Sequence, residues 1–196
     1  MTSSVMRLVI GMTGSSGIVY GIRMLEVLKR CNIDVHLVMT EWAKKCLTLE
    51  TDFDLNYVKS LAGSYSEDSN MAASVSSGTY KTDGMIIIPC SMKTLSSIAN
   101  GYEETLVARA AGVTIKESRK LVIVPRETPL TGIHLENMLK LARIGIIILP
   151  AMPGFYNRPK NVDDLINHVV GKCLDQFNIE HDLFKRWGTS KPSVDN

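Results

Sequence analysis

Apolar positions along the chain alternate between two patterns. Residues 7–12 (RLVIGM) and 35–39 (VHLVM) are short, apolar and β-branched, and between them residues 18–30 repeat apolar side chains at helical spacing in Ile18, Ile22, Leu25 and Leu28. This predicts a strand, a helix and a strand. Three later runs share one design: residues 85–88, 121–124 and 146–149 are near-continuous Val, Ile and Leu, and proline follows each at Pro89, Pro125 and Pro150. Unbroken apolar runs without alternation predict burial on both faces, as in parallel strands covered by helices. Proline cannot donate to a sheet ladder, so each run is expected to stop there and pass into a loop at one shared sheet edge.

The segments between are predicted helices, at residues 43–50, 93–99, 104–118, 133–142 and 162–177. In the last, Val162, Leu165, Ile166, Val169, Val170, Cys173, Leu174 and Phe177 form a stripe at three- and four-residue spacing, and Asp163 and Asp164 occupy its first turn, where the helix dipole favours negative charge. Alternating strands and helices with right-handed crossovers predict an α/β fold, a three-layer doubly wound parallel sheet with its ligand crevice beyond the carboxyl ends of the strands. Residues 60–77, rich in Ser and Ala, are the least regular stretch. One domain over residues 1–188 with a loose tail at 189–196 fits the length of 196.

Composition narrows the function. The chain is 45% hydrophobic and 21% charged, which places it among globular proteins, and 22 basic against 20 acidic residues leave a net charge of +2, too balanced to draw in nucleic acid. Cys31, Cys46, Cys90 and Cys173 show neither a CxxC nor a short spacing, which favours a reduced, cytoplasmic setting over a disulfide scaffold or zinc site. Four scattered histidines lack metal-ligand spacing, so no metal is expected. The longest apolar run, residues 144–152, falls short of the roughly 18 to 20 residues of a bilayer span. The apolar fraction is generous for this length, as if some surface were meant to be covered.

Candidate chemistry sits in the loops after the strands. Gly11 to Gly17 (GMTGSSG) follows the first strand and opens a helix, where glycine dihedrals and free amides make an anion cradle for a phosphate or a flavin edge. A plain tight turn is the alternative, because the spacing is neither GxGxxG nor a P-loop. Glu41, after the second strand, is a candidate ribose ligand. Residues 89–94 (PCSMKT) gather two hydroxyls, an ammonium and helix-start amides, with Ser91 as an ordinary N-cap the competing explanation. Arg126 and Glu127 lie between two prolines (PRETP) in an apolar neighbourhood, which makes them site candidates. Arg109 and Lys116 are seven apart, two turns along one helix face, and supply either charge for a substrate phosphate or a solvated face. Residues 155–159 (FYNRP) bring the Tyr156 phenol towards the same edge; Lys172, on the following helix, reads as surface when taken alone.

Taken in order, GSSG, SSGTYKTDGMIIIPCSMKT, ANGYEETLVARAA, KLVIVPRETPL, HLENMLKLARIG and PAMPGFYNRP make a chain that resembles the UbiX/Pad family of flavin prenyltransferases from residue 7 to residue 187. The resemblance implies a Rossmann-like or flavodoxin-like domain. It would bind reduced FMN and join the dimethylallyl group of dimethylallyl phosphate to flavin N5 and C6, making prenylated FMN for a UbiD-type aromatic or phenolic-acid decarboxylase. Residue by residue, it assigns Gly14, Ser15, Ser16, Thr40, Ser91, Met92, Lys93, Thr94 and Arg126 to FMN, with Ser16 near N5. Tyr156 and Lys172 match dimethylallyl phosphate ligands, and Arg109, Lys116, Arg126 and Glu127 match the polar surroundings of that phosphate. Glu50 and Glu127 match catalytic acids, and Trp187 an aromatic beside the site. Ser15 stands where alanine is common, Thr40 where serine is common, and Lys172 where arginine is frequent; lysine lacks arginine's bidentate fork.

The resemblance further implies a cytoplasmic homododecamer built of trimers, whose sites draw residues from neighbouring subunits. It implies metal independence too, since Asp163-Asp164 is the nearest approach to an aspartate-rich metal motif and has a structural explanation. A flavin-dependent cysteine decarboxylase and a non-catalytic FMN-binding accessory subunit are the alternatives.

Overall fold

The computed structural model describes residues 5–188, so the tail at 189–196 lies outside the described residues. Six parallel strands, β1 (Arg7–Met12), β2 (Asp34–Met39), β3 (Ser64–Glu67), β4 (Gly84–Cys90), β5 (Lys120–Pro125) and β6 (Ile147–Ile148), form one sheet in the order β3-β2-β1-β4-β5-β6. This is the Rossmann order, in which the chain winds outward in opposite directions from the β1/β4 junction. The helices are α1 (Ile18–Arg30), α2 (Glu41–Glu50), α3 (Leu55–Ser60), α4 (Met92–Ala99), α5 (Leu106–Lys116), α6 (Gly132–Arg143) and α7 (Val162–Asp175).

Alternation along each central strand divides the core in two. Leu8, Ile10, Leu37, Met39, Ile86 and Val122 face the layer of α1, α2, α3 and α7, whereas Val9, Val38, Met85, Ile87 and Ile123 face α4, α5 and α6. All seven positions of β4 are buried, as expected of a central parallel strand. On α7 the predicted stripe is buried from Ile166 onward, at about 1.5–3 kcal/mol per large side chain. Val162, in the first turn, departs from it at 68% exposure.

The proline expectation needs correction in β4, which continues one residue past Pro89. Its pairing with β5 shifts between Ile87 and Cys90, so the missing proline N–H falls at the irregularity and the ladder resumes at Cys90 opposite Pro125. β5 ends on Pro125 itself, and β6 stops two residues before Pro150. The stretch read as least regular contains edge strand β3 and a 3-10 turn at Ser74–Ser76.

Candidate active site

The loops after β1, β4 and β5 are tied together at the switch point. Thr13, wholly buried, donates from Oγ1 to the Pro89 carbonyl (3.0 Å) and accepts from the Ser91 N–H (2.7 Å). Ser15 Oγ donates to the Arg126 carbonyl (2.7 Å), and Arg126 Nε returns a hydrogen bond to the Ser16 carbonyl (3.0 Å). Side chains of opposite halves of the sheet are thus fixed across the crevice.

Beside this junction lies a cavity of about 420 Å³ lined by Gly14, Thr40, Ser91, Lys93 and Thr94, joined by Trp42, Asp68 and Thr105. Three helix N-termini converge on it. Thr40, Ser91 and Thr105 cap α2, α4 and α5 by accepting from the amides of Ala43 (3.1 Å), Thr94 (3.3 Å) and Ala108 (3.4 Å). Each cap satisfies one of the four first-turn N–H groups that a helix leaves without an internal partner. At α5 Asp68 also takes the Leu106 and Val107 amides, so it is the α2 and α4 ends, with the Lys93 ammonium, that form a donor set matched to an anion such as a phosphate. Ser91 is therefore both an N-cap and a cavity wall. Gly14 is required by close approach: a Cβ there would lie 2.2 Å from Trp42 Cβ. Glu41 lines the same cavity and pairs with Lys44 at 2.7 Å. Met92 differs from its neighbours: it packs against the apolar layer under α4 and does not line this cavity.

The glycine loop after β1 needs a correction as an anion cradle. Gly17 has φ +98°, and α1 has no side-chain cap of its own. Instead Glu50 Oε2 accepts from Gly17 N (2.8 Å) and Ile18 N (3.1 Å), so the chain's own carboxylate occupies the start of α1. Burial, then the Glu50 charge, pushes the nearby Cys46 thiol above its ordinary pKa, with Arg126 opposing. Glu127 is exposed, accepts from the Thr128 N–H at 3.0 Å, and borders with Arg126 a second cavity of about 240 Å³.

A second group forms along α7. The Tyr156 hydroxyl meets His168 Nε2 at 3.1 Å, and the Tyr156 ring packs edge-on against Trp187 with centroids 5.5 Å apart. Lys172, on α7, bears electrostatically on His168. Within one chain these residues do not line the crevice cavity. Arg109 and Lys116 also correct the reading of a shared phosphate face. Arg109 is held by Glu103 (2.6 Å) and the Ser76 carbonyl (3.0 Å), while Lys116 lies in the last turn of α5, four residues before β5 begins at the opposite sheet edge, 3.8 Å from Glu117.

Thr13, Trp42, Asp68 and His168 were not among the sequence candidates. Asp68 accepts from Leu106 N through its carbonyl (2.8 Å) and from Val107 N through its carboxylate (2.9 Å), a pairing across 38 and 39 residues that no local pattern reveals. Thr105 falls inside the helix predicted over residues 104–118; a threonine just before the apolar run of α5 is the signal that marks it as the cap. Among the described residues no group of three His, Cys, Asp or Glu side chains could hold a metal ion. Asp163 pairs with Arg23 (3.5 Å), and Asp164 accepts from Lys160 N (2.8 Å). Among the same residues no helix is long and apolar enough to cross a membrane.

The flavoprotein family model matches residues 2–174. A probable UbiX-like flavin prenyltransferase of Escherichia coli O157:H7 is 51% identical over 183 residues, 93% of each chain. The chain belongs to the UbiX-like flavin prenyltransferase family. It is an enzyme of that type, and its product is prenylated FMN. The flavin prenyltransferase UbiX of Methanocaldococcus jannaschii is 49% identical over 94% of this chain and 100% of its own length. Among solved structures, AnUbiX (PadA1) in complex with FMN and dimethylallyl pyrophosphate superposes with a TM-score of 0.93 at 44% identity, covering 95% of this chain and 100% of that one. A dodecameric FMN-dependent UbiX-like decarboxylase from Escherichia coli O157:H7 gives 0.91 at 51% identity over 93% and 99%. The peptidyl-cysteine decarboxylase EpiD is 17% identical with a TM-score of 0.60, a likeness of fold alone.

Proposed function

We propose that this flavin prenyltransferase binds FMN at the junction of β1 and β4 and alkylates it with a dimethylallyl phosphate, without a metal ion. The convergence of the α2 and α4 N-termini with Lys93 on one cavity carries this reading, because it is a donor set for a phosphate next to the Ser16, Glu50 and Arg126 cluster. Gly14, Thr40, Ser91, Lys93 and Thr94 hold the cofactor side, joined by Ser15, Ser16, Arg126 and the Met92 backbone. Reduced FMN supplies the nucleophilic N5 and C6.

The chain's own groups carry the remaining work. Departure of the phosphate leaves charge on its oxygen, and Tyr156, Lys172 and Arg126 donate to it, with Arg109 and Lys116 reaching it from a neighbouring subunit. These fixed cations take the place that a metal holds in diphosphate-dependent enzymes. Ring closure at C6 would need a proton delivered to the allylic double bond and another removed from C6, and Glu127 and Glu50 are the groups that transfer them. Trp187 and Tyr156 screen the allylic carbon from water.

Assembly supports the same reading. The dodecamer of the Escherichia coli relative gives the separated groups of this chain a way to meet, and Ile133, Leu135, Leu139 and Ile144, exposed on and after α6, offer apolar surface for subunit contact. The product passes to a UbiD-type decarboxylase in a cytoplasmic setting.

The test is anaerobic incubation of purified protein with reduced FMN and either dimethylallyl phosphate or dimethylallyl pyrophosphate, with and without EDTA, followed by mass analysis of the released flavin. A flavin heavier by one C5H8 unit, formed from the monophosphate in EDTA, is the expected result. Unmodified FMN in every arm rejects the reading, and activity abolished by EDTA rejects its metal-free form.

A further inference from the structure

We propose that His168 is a positioning residue for Tyr156, donating from Nε2 to the phenol oxygen so that the Tyr156 hydrogen is directed to a phosphate oxygen of the dimethylallyl substrate. The inference rests on the reading that Tyr156 binds that phosphate.

The tautomer follows from geometry. Gly154 N–H lies 3.2 Å from His168 Nδ1, and a backbone N–H only donates, so Nδ1 is an acceptor and carries no proton. In the neutral ring the proton is then on Nε2, which is 3.1 Å from the Tyr156 hydroxyl. A phenol oxygen that accepts from the imidazole has its own O–H left for another acceptor. Burial, and secondly the charge of Lys172, lower the pKa of His168 and keep it neutral.

The surroundings hold this chain of donors in register. His168 is 9% exposed, its ring edge-on to Tyr156 (centroids 5.6 Å, 80°) and tilted against Phe184 (5.1 Å). At Gly154 a Cβ would stand 2.9 Å from the Tyr156 ring and 3.4 Å from His168 Cε1, so only glycine lets the loop lie across both. At Gly171 a Cβ would stand 2.4 Å from Phe184 and 2.7 Å from His181, so glycine there seats the segment that ends in Trp187. Lys172 follows His168 by four residues on α7, one turn along the same face, which puts a cation near the histidine.

A histidine that merely filled space would affect stability and nothing else, so the test reads coupling. Steady-state KM and kcat for dimethylallyl phosphate are measured for wild type, Tyr156→Phe, His168→Phe, His168→Gln and the Tyr156→Phe/His168→Phe double variant, with FMN affinity measured for each. Loss of a hydrogen bond to a charged group predicts about a tenfold rise in KM for Tyr156→Phe, and about a fivefold rise for His168→Phe with unchanged FMN affinity. In the double variant KM equals that of Tyr156→Phe, because the histidine acts only through the hydroxyl. His168→Gln, which keeps an N–H donor, recovers most of the loss. Multiplying effects in the double variant, or an unchanged KM in His168→Phe, overturn the proposal while leaving Tyr156 as a ligand. An unchanged KM in Tyr156→Phe removes that reading and the proposal with it. Should His168→Phe not fold, His168→Leu in wild-type and Tyr156→Phe backgrounds gives the same comparison: KM rises only in the first, and a rise in both overturns the proposal.

Discussion

Glu50 caps α1, and the proposed function also gives it a proton to transfer; Glu50→Gln separates the two tasks. Its Oε2 accepts from the Gly17 and Ile18 amides at 2.8 and 3.1 Å, at the positive end of the α1 dipole. A glutamine oxygen can accept the same two hydrogen bonds, so the structural loss is confined to the charge facing the dipole, about 0.3–1 kcal/mol. In a chain of this size 1 kcal/mol lowers Tm by about 2–4 °C, and against a stability of about 5–15 kcal/mol the variant stays folded. A proton-transfer role is worth far more: general acid–base catalysis contributes about 10²–10⁴-fold, so kcat should fall at least about 100-fold. Thermal unfolding and anaerobic formation of prenylated FMN, followed by mass analysis on the same preparations, make the comparison. A Tm lower by a few degrees, a much lower kcat and unchanged FMN affinity are expected. A kcat within about threefold of wild type would refute the chemical role and leave Glu50 as the cap of α1.

Three further outcomes follow from the same geometry. Gly14→Ala forces its Cβ against Trp42 Cβ at 2.2 Å, and the Trp42 backbone at 3.3 Å leaves little room, so a cost of about 1–3 kcal/mol and a weakened FMN affinity are expected; denaturant unfolding and flavin titration matching wild type would contradict it. Lys172 is 47% exposed and 3.8 Å from Asp175, so Lys172→Ala should change stability by less than about 0.5 kcal/mol while raising KM for dimethylallyl phosphate about tenfold, and an unaltered KM takes Lys172 out of the phosphate site. Burial works to raise the Asp175 carboxyl, but the hydrogen bond and charge of Arg186, with His181, outweigh it and hold it below the ordinary value of 3.8. A depressed carboxylate pKa stabilises the fold above the unfolded value and loses that contribution as pH falls through the folded one. Tm of wild type should thus exceed that of Asp175→Asn at pH 7 and converge with it below the folded value; a gap that is constant with pH would show that the charge contributes nothing.

What was legible in the sequence depended on how locally each feature is determined. The bounds of β1 and α1 coincide with their apolar patterns, because each pattern is the buried face itself. α3 and β3 escaped: the first has Val58 as its buried residue, and the second is an edge strand of sequence SYSE that pairs on one side alone. Pro89 misled about the end of β4, since a shifted register accommodates it. Residues on one loop were placed correctly as neighbours, as with Ser91, Lys93 and Thr94 around one cavity. Arg109 and Lys116 failed as a shared phosphate face within one chain because their seven-residue spacing says that they lie on one side of a helix and nothing about what that side meets.

The start of α1 carries the deeper lesson about reading anion sites from glycine loops. GSSG followed by a helix was a sound signal for unpaired amides, yet a residue 33 positions after Gly17 supplies the carboxylate that takes them. Of the other three helices at the crevice, α2 and α4 carry Thr or Ser caps that satisfy one amide each and add no charge, whereas at α5 Asp68 takes the Leu106 amide through its carbonyl and the Val107 amide through its carboxylate, beside the Thr105 cap. The two sides of the junction differ in what their carboxylates meet: on one, Glu41 is paired with Lys44 and Asp68 with α5 amides, leaving the α2 and α4 ends and Lys93; on the other stands Glu50, with Arg126 between them bonded to Ser16. On the proposed function, a ligand with a phosphate at one end and a proton-exchanging ring at the other would be oriented by that asymmetry, phosphate towards α2 and α4, ring towards Ser16 and Glu50. Were both sides cationic, the loop would bind the phosphate in either direction, and neither carboxylate would stand beside the ring positions that lose protons.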